Sequence, residues 1–220
     1  MAIFEHAKFF QSAYKLSELP PDRGKEVAFA GRSNAGKSSA INTLATHNRL
    51  AFVSKTPGRT QLINFFQVDE FEHYLVDLPG YGYAKVSQSL REHWQHTLAA
   101  YLQTRQALCG MIVVMDCRHP LKPNDVDMLR WFAPSERPVH VLLSKADKLS
   151  RQQGRATLDK VRKDLAEFPR SSAQLFSSLK KTGIEEAEAV IAEWLELPTA
   201  STKPAAVATS GNKKPPAKGE

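Results

Sequence analysis

The stretch Gly31-Arg32-Ser33-Asn34-Ala35-Gly36-Lys37-Ser38-Ser39 fits the pattern G-x-x-x-x-G-K-[ST], in which main-chain N–H groups cradle phosphate oxygens. Gly31 and Gly36 let the backbone curl so that successive N–H groups can face one anion. A helix beginning near Lys37 would add its positive end. Lys37 then reaches the β- and γ-phosphates of a nucleotide, and the Ser38 hydroxyl offers one ligand to a magnesium ion. The chemistry expected is the binding of a nucleoside triphosphate with its divalent cation.

Two further groups belong to the same chemistry. Asp77-Leu78-Pro79-Gly80 follows an apolar run, which places the Asp77 carboxylate opposite Ser38 for magnesium and leaves the Gly80 N–H for the γ-phosphate. Ser144-Lys145-Ala146-Asp147 follows another apolar run. A carboxylate at Asp147 accepts from both N1–H and the 2-amino group of guanine, whereas adenine offers an acceptor at N1 and no 2-amino group. Guanine is therefore selected, because the wrong base leaves a buried charge unpaired. The stem of Lys145 would lie across the base, and the Ser178 N–H could meet the guanine O6.

These groups need strands to carry them and helices to brace the strands. Val27-Ala28-Phe29-Ala30 reads as a buried strand before the phosphate loop, with a helix over 38–45 after it. Further strands are expected at 61–68, 73–77, 108–115, 138–143 and 174–178. The spacing of Leu90, Trp94, Leu98, Tyr101 and Leu102 predicts a helix starting at Ser87, followed by others over 123–132, 151–168 and 183–197. This alternation implies an α/β fold: a three-layer, doubly wound, mostly parallel sheet with helices on both faces and ligands at the carboxyl ends of the strands. Segments 47–60 and 81–86 have no sustained period and flank the expected γ-phosphate position.

Residues 1–24 carry Phe4, Phe9, Phe10, Tyr14 and Leu16 and are expected to pack as an arm on a domain spanning 25–197. Residues 198–220 lack aromatics and are rich in Pro, Ala and Lys, so a disordered tail is expected. The chain of 220 residues is long enough for a core that needs no metal or disulfide staple. Cys109 and Cys117 sit at either end of one apolar run, too far apart along a strand to bond, and reduced thiols suit the cytoplasm. No run is long enough for a membrane span and Met1–His6 does not open a secretory signal, so a cytoplasmic protein with no membrane partner is expected. The net charge of +7 suits RNA or serves solubility alone. Four tail lysines against Glu220 account for +3 of it.

Taken together, these motifs resemble the translation-factor-like GTPases, and closely the EngB (YihA/YsxC) family of bacterial ribosome-assembly GTPases, over residues 3–197. The likeness rests on Gly31 to Ser39, on Thr56-Pro57-Gly58-Arg59-Thr60 and on Asp77 to Gly80 followed by Tyr81-Gly82-Tyr83-Ala84. It extends to Asp116-Cys117-Arg118-His119-Pro120 and Phe176-Ser177-Ser178-Leu179-Lys180. The resemblance implies the P-loop GTPase fold, GTP and GDP as ligands, and slow GTP hydrolysis drawing on Lys37, Thr60 and Gly80. It implies that Gly58, Arg59 and Thr60 meet the nucleotide, with Thr60 joining Ser38 and Asp77 on magnesium, and that Ser177, Ser178 and Leu179 border the base. It also implies binding of a monomer to the maturing large ribosomal subunit, with its rRNA and proteins, and an association with cell division and septation.

Four residues qualify that picture. Ser144 stands where most related GTPases have Asn or Thr, which predicts somewhat weaker affinity with unchanged base choice. Tyr81 stands where many have the glutamine that orients the attacking water, and Arg59 is a candidate for the missing charge, so a partner or an ion is expected to raise the rate. Asn34 matches a position where related GTPases ligate potassium, or it tolerates an unusual backbone angle. The competing readings are a ribosome- or RNA-binding protein whose nucleotide is regulatory and barely hydrolysed, and a P-loop kinase or ATPase.

Overall fold

The computed structural model describes residues 3–47, 49–51, 62–81 and 97–198. Its strands are β1 (Lys8–Ala13), β2 (Lys25–Gly31), β3 (Ile63–Gln67), β4 (His73–Asp77), β5 (Leu108–Asp116), β6 (Val139–Ser144) and β7 (Ser171–Leu175). The helices are α1 (Lys37–Leu44), α2 (residues 97–104), α3 (Pro123–Phe132), α4 (Arg151–Asp164) and α5 (Ile184–Trp194). The strands form one sheet in the order β1-β3-β4-β2-β5-β6-β7, parallel from β4 to β7 and antiparallel where β3 meets β4 and β1. The expected α/β architecture is thus present.

Both faces of the central strands are buried, as a parallel sheet under two helical layers requires. In β5, Met111, Val113 and Met115 face a core shared with Leu98, Tyr101, Leu102 and Phe132. Ile112 and Val114 face the other core, with Ile41, Leu44, Ala187 and Ile191. The period of two thus survives inside a run that is apolar throughout. Of the apolar positions that predict α2, Leu98, Tyr101 and Leu102 are buried. Ser87, Leu90 and Trp94 lie outside the described residues, as do the tail beyond residue 198, most of 47–60 and all of 82–86.

Three details depart from the expectations. The N-terminal arm supplies the edge strand β1, with a bulge between Phe9 and Gln11. Phe4 is fully buried, but Phe9 and Phe10 remain 58% and 42% exposed, so not all its aromatics leave water. The last strand runs over Ser171–Leu175 rather than 174–178. Its polar start hid it: Ser171 Oγ donates to the Leu165 and Phe168 carbonyls, and Ser172 Oγ meets His140 Nδ1 at 2.7 Å, so an edge strand absorbs both hydroxyls. Finally, α4 stops at Asp164 and gives way to a tight turn over Leu165–Glu167.

At the strand end away from the phosphate loop, the buried Glu26 carboxylate is bridged by Arg105 (2.5 Å from Nη2) and by the Tyr101 hydroxyl (2.8 Å). Arg105 also donates to the Pro20 and Pro21 carbonyls, tying the arm to the sheet. Burial pushes the Glu26 carboxyl up from its ordinary pKa, against the pull of Arg105. Such a bridge is a fastening device more than a source of net stability.

Candidate nucleotide-binding site

The phosphate loop leaves the end of β2 and closes on the first turn of α1. Gly36, the residue before α1, has φ +100°, a conformation open to glycine and strained for any other residue. Gly31 serves a different purpose. A Cβ there would lie 2.8 Å from the Val114 carbonyl oxygen, so its missing side chain lets β5 approach. The curl instead uses Asn34, at φ 61°. Among the described residues, no backbone N–H of Asn34, Gly36, Lys37, Ser38 or Ser39 has a hydrogen-bond partner in the protein. Clustered donors at a helix start suit an anion.

Lys37 and Asp77 meet inside this cradle, the ammonium donating to the Asp77 carboxylate. Both are buried, and Ser38 beside them is half-buried. The Asp77 carboxylate and the Ser38 hydroxyl are hard oxygen donors, which fit magnesium beside phosphate oxygens. Leu78 and Pro79 carry the chain from β4 to Gly80, with the Leu78 N–H donating to the Phe29 carbonyl at 3.0 Å. Gly80 lies over the loop, where a Cβ would stand 3.5 Å from Ser33 N and 3.6 Å from Gly31 O.

The Ser144-Lys145-Ala146-Asp147 motif is hooked onto the same loop. Ser144 Oγ donates to the Ala35 carbonyl at 2.5 Å, with Met115 O a second acceptor at 3.1 Å. A serine hydroxyl therefore bonds directly to the phosphate loop. Lys145, at φ 58°, sends Nζ to the Asn34 carbonyl at 2.7 Å and to Asp116 Oδ2 at 2.9 Å, so its stem spans the gap between the two motifs. Ala146 N–H donates to the Phe176 carbonyl at 3.1 Å, and Ser177 Oγ donates to Asp147 Oδ1 at 2.6 Å. That hydrogen bond, helped by Lys148, holds the Asp147 carboxyl below its ordinary pKa, so it is ionised at neutral pH. Ser178 is half-buried beside it, and Leu179 is 71% exposed.

The structure thus brings together Gly31 to Ser39, Asp77 to Gly80, Ser144 to Asp147 and Ser177. The side chain of Arg32 leaves the cradle: Nε meets both Asp125 oxygens at 3.2 Å and Nη2 donates to the His119 carbonyl at 3.0 Å. Gly58, Arg59 and Thr60 lie outside the described residues.

Sequence reasoning missed two acids. Asp116, at the end of β5, takes two hydrogen bonds from the Arg118 side chain and one from Lys145; Arg118 above all holds its carboxyl far below the usual range. It opens the Asp116 to Pro120 motif, to which the sequence attached no role. Asp125 is fully buried, and that burial raises its pKa despite Tyr81, Arg32 and the Lys122 N–H. Its only signal was its place as an acid in the first turn of α3.

Residues 26–145, more than half of the chain, match the family described as 50S ribosome-binding GTPase. A protein of Methylobacillus flagellatus called probable GTP-binding protein EngB is 62% identical over 199 residues, covering 90% of this chain and 96% of that one. Its namesake in Nitrosomonas europaea is 54% identical over 219 residues, covering 99% and 98%. Among solved structures, a probable GTP-binding protein engB aligns with a TM-score of 0.62 at 21% identity, covering 78% of this chain and 98% of that chain. Era in complex with MgGDPNP and nucleotides 1506–1542 of 16S ribosomal RNA aligns at 0.64 with 21% identity, covering 86% and 61%. These structural likenesses speak for the fold alone.

Fold and relatives define a GTP-binding protein of the P-loop GTPase class. Within that class the chain belongs to the EngB family.

Proposed function

We propose that the protein is a magnesium-dependent GTP hydrolase that works as a switch on the assembling large ribosomal subunit. The observation that carries this reading is the hook of Ser144 and Lys145 onto the Ala35 and Asn34 carbonyls. It sets the base-reading Asp147 and the phosphate cradle at a fixed separation, as a single guanine nucleotide requires. Magnesium between Ser38 and Asp77 would neutralise charge on the β- and γ-phosphates. Lys37 exchanges Asp77 for phosphate oxygens when nucleotide enters, and the Gly80 N–H meets the γ-phosphate. On this reading Thr60 would join Ser38 and Asp77 on the metal, and Arg59 is the candidate to supply charge at the γ-phosphate. Residues 25–197 form the GTP-binding domain, and Gly58, Ser177, Ser178 and Leu179 border the nucleotide.

The ribosomal partner is supported by the description of the matching family and by the chain's net charge of +7, which suits RNA. A role in cell division would follow from the supply of ribosomes or from a separate contact. The purified monomer should co-sediment with large ribosomal subunits in GTP and not in GDP; equal sedimentation in both would remove the switch.

Intrinsic hydrolysis is slow on this reading, because Tyr81 stands where many GTPases carry the amide that orients the attacking water, and its hydroxyl proton is committed to Asp125. That engagement also favours a second reading, in which nucleotide binding is regulatory and hydrolysis negligible. The left-handed backbone at Asn34 accounts for an Asn there without any ion. If its side chain also ligates potassium, turnover in potassium buffer exceeds that in sodium buffer by about tenfold, a charge-stabilisation effect; equal rates leave only the backbone role.

A further inference from the structure

The residue after Gly80 is held more firmly than a switch segment needs. Tyr81 N–H donates to the Gly31 carbonyl at 3.3 Å, and its own carbonyl accepts from Ser33 N–H at 3.2 Å, forming a short parallel bridge beside Arg32. Its hydroxyl donates to Asp125 Oδ1 at 2.9 Å. Asp125, without exposed surface, is in turn gripped by Arg32 Nε on both oxygens at 3.2 Å and by the Lys122 N–H at 3.0 Å. The phosphate loop, the first turn of α3 and the segment leaving β4 therefore share one buried carboxylate. Upstream, Leu78 is tied to Phe29, so both neighbours of the Pro79–Gly80 peptide are anchored and the peptide itself has little freedom.

We propose that Tyr81, held by Asp125 and Arg32, is a positioning residue that fixes the Gly80 N–H over the phosphate loop and thereby sets the preference for a nucleoside triphosphate over a diphosphate. The inference rests on the reading of Gly80 as a γ-phosphate donor. Its physical basis is selective: the α- and β-phosphates are met by N–H groups of the loop itself, whereas only the terminal phosphate of a triphosphate reaches Gly80. Loosening Tyr81 leaves the first set in place and blurs the second. At this position the phenol makes a structural bond to Asp125.

Calorimetric titration of the full chain with GDP and with a non-hydrolysable GTP analogue tests this. Tyr81→Phe removes one oxygen and keeps the ring, and is expected to weaken the analogue about tenfold, the scale of one hydrogen bond to a charged group, while GDP changes less than about twofold. Asp125→Asn should shift the ratio of the two affinities in the same direction. Adding Tyr81→Phe to it should shift that ratio little further, because residues acting as one unit are not additive. The ratio is the readout, so a general loss of stability, followed by thermal melting, does not imitate the effect. An unchanged ratio in Tyr81→Phe, or equal weakening of both nucleotides, overturns the proposal. A wild-type chain that binds neither nucleotide sinks the nucleotide reading itself.

Discussion

Lys37→Ala is expected to abolish useful nucleotide binding, weakening GTP and GDP alike. Losing one buried charge partner typically costs about 2–5 kcal/mol, or roughly thirtyfold to several thousandfold in Kd. The structure adds a second consequence. The Lys37 ammonium is paired with Asp77, which is 2% exposed, so its removal leaves a carboxylate buried without that counter-charge. Breaking such a pair costs about 3–5 kcal/mol of stability. The variant should therefore melt well below the parent even when ligand-free. A change of Asp77 to Asn in the same chain should recover much of the melting temperature and none of the binding. Calorimetry with GDP and a melting curve separate the two effects. Binding retained in Lys37→Ala would mean that the cradle around Gly36 is not a phosphate site.

Asp147→Asn should change the base that is read. The carboxylate accepts from two guanine donors, N1–H and the 2-amino group. An asparagine keeps an acceptor for N1–H but turns an amide N–H toward the 2-position, where guanine also presents a donor and xanthine an acceptor oxygen. The Ser177 hydroxyl, which donates to Oδ1 at 2.6 Å, can donate to the amide oxygen equally well and hold it in place. Guanosine diphosphate is expected to bind about a hundredfold or more weakly, since two polar groups are left mismatched, while xanthosine diphosphate becomes the better ligand. Competition of a fluorescent guanine nucleotide by the two diphosphates measures this. An unaltered preference would place the base elsewhere.

Much of the site was legible because its chemistry is written in short contiguous peptides. Five residues from Gly31 to Ala35 and the Gly36-Lys37-Ser38 that follows form a loop whose geometry is local. The motifs ending in Gly80 and Asp147 each sit where a strand stops. The relation between motifs was far less accessible. Gly31 reads as a hinge of the curl, yet what it does is admit the Val114 carbonyl of a neighbouring strand. Arg32 reads as part of the phosphate loop, yet its guanidinium turns to Asp125, ninety-three residues away in the chain. No local pattern announces that pairing.

The same divide runs through the fold. Apolar runs at period two or unbroken, alternating with helical periods, settle a doubly wound sheet because burial on two faces leaves few other arrangements. Strand β7 escaped in part, since the hydroxyls of Ser171 and Ser172 are satisfied by carbonyls and a histidine that only folding brings near. What the sequence by itself determined is the alternation of elements and the short motifs carried at the strand ends, since spacing within a turn or a strand is enough to define them. What only the tertiary structure decided is which buried charges share a partner: Lys37 with Asp77, Lys145 with Asp116, and Tyr81 and Arg32 with Asp125. The physical reason is that a charge taken out of water must find its partner in space, and chain separation places no limit on where that partner lies.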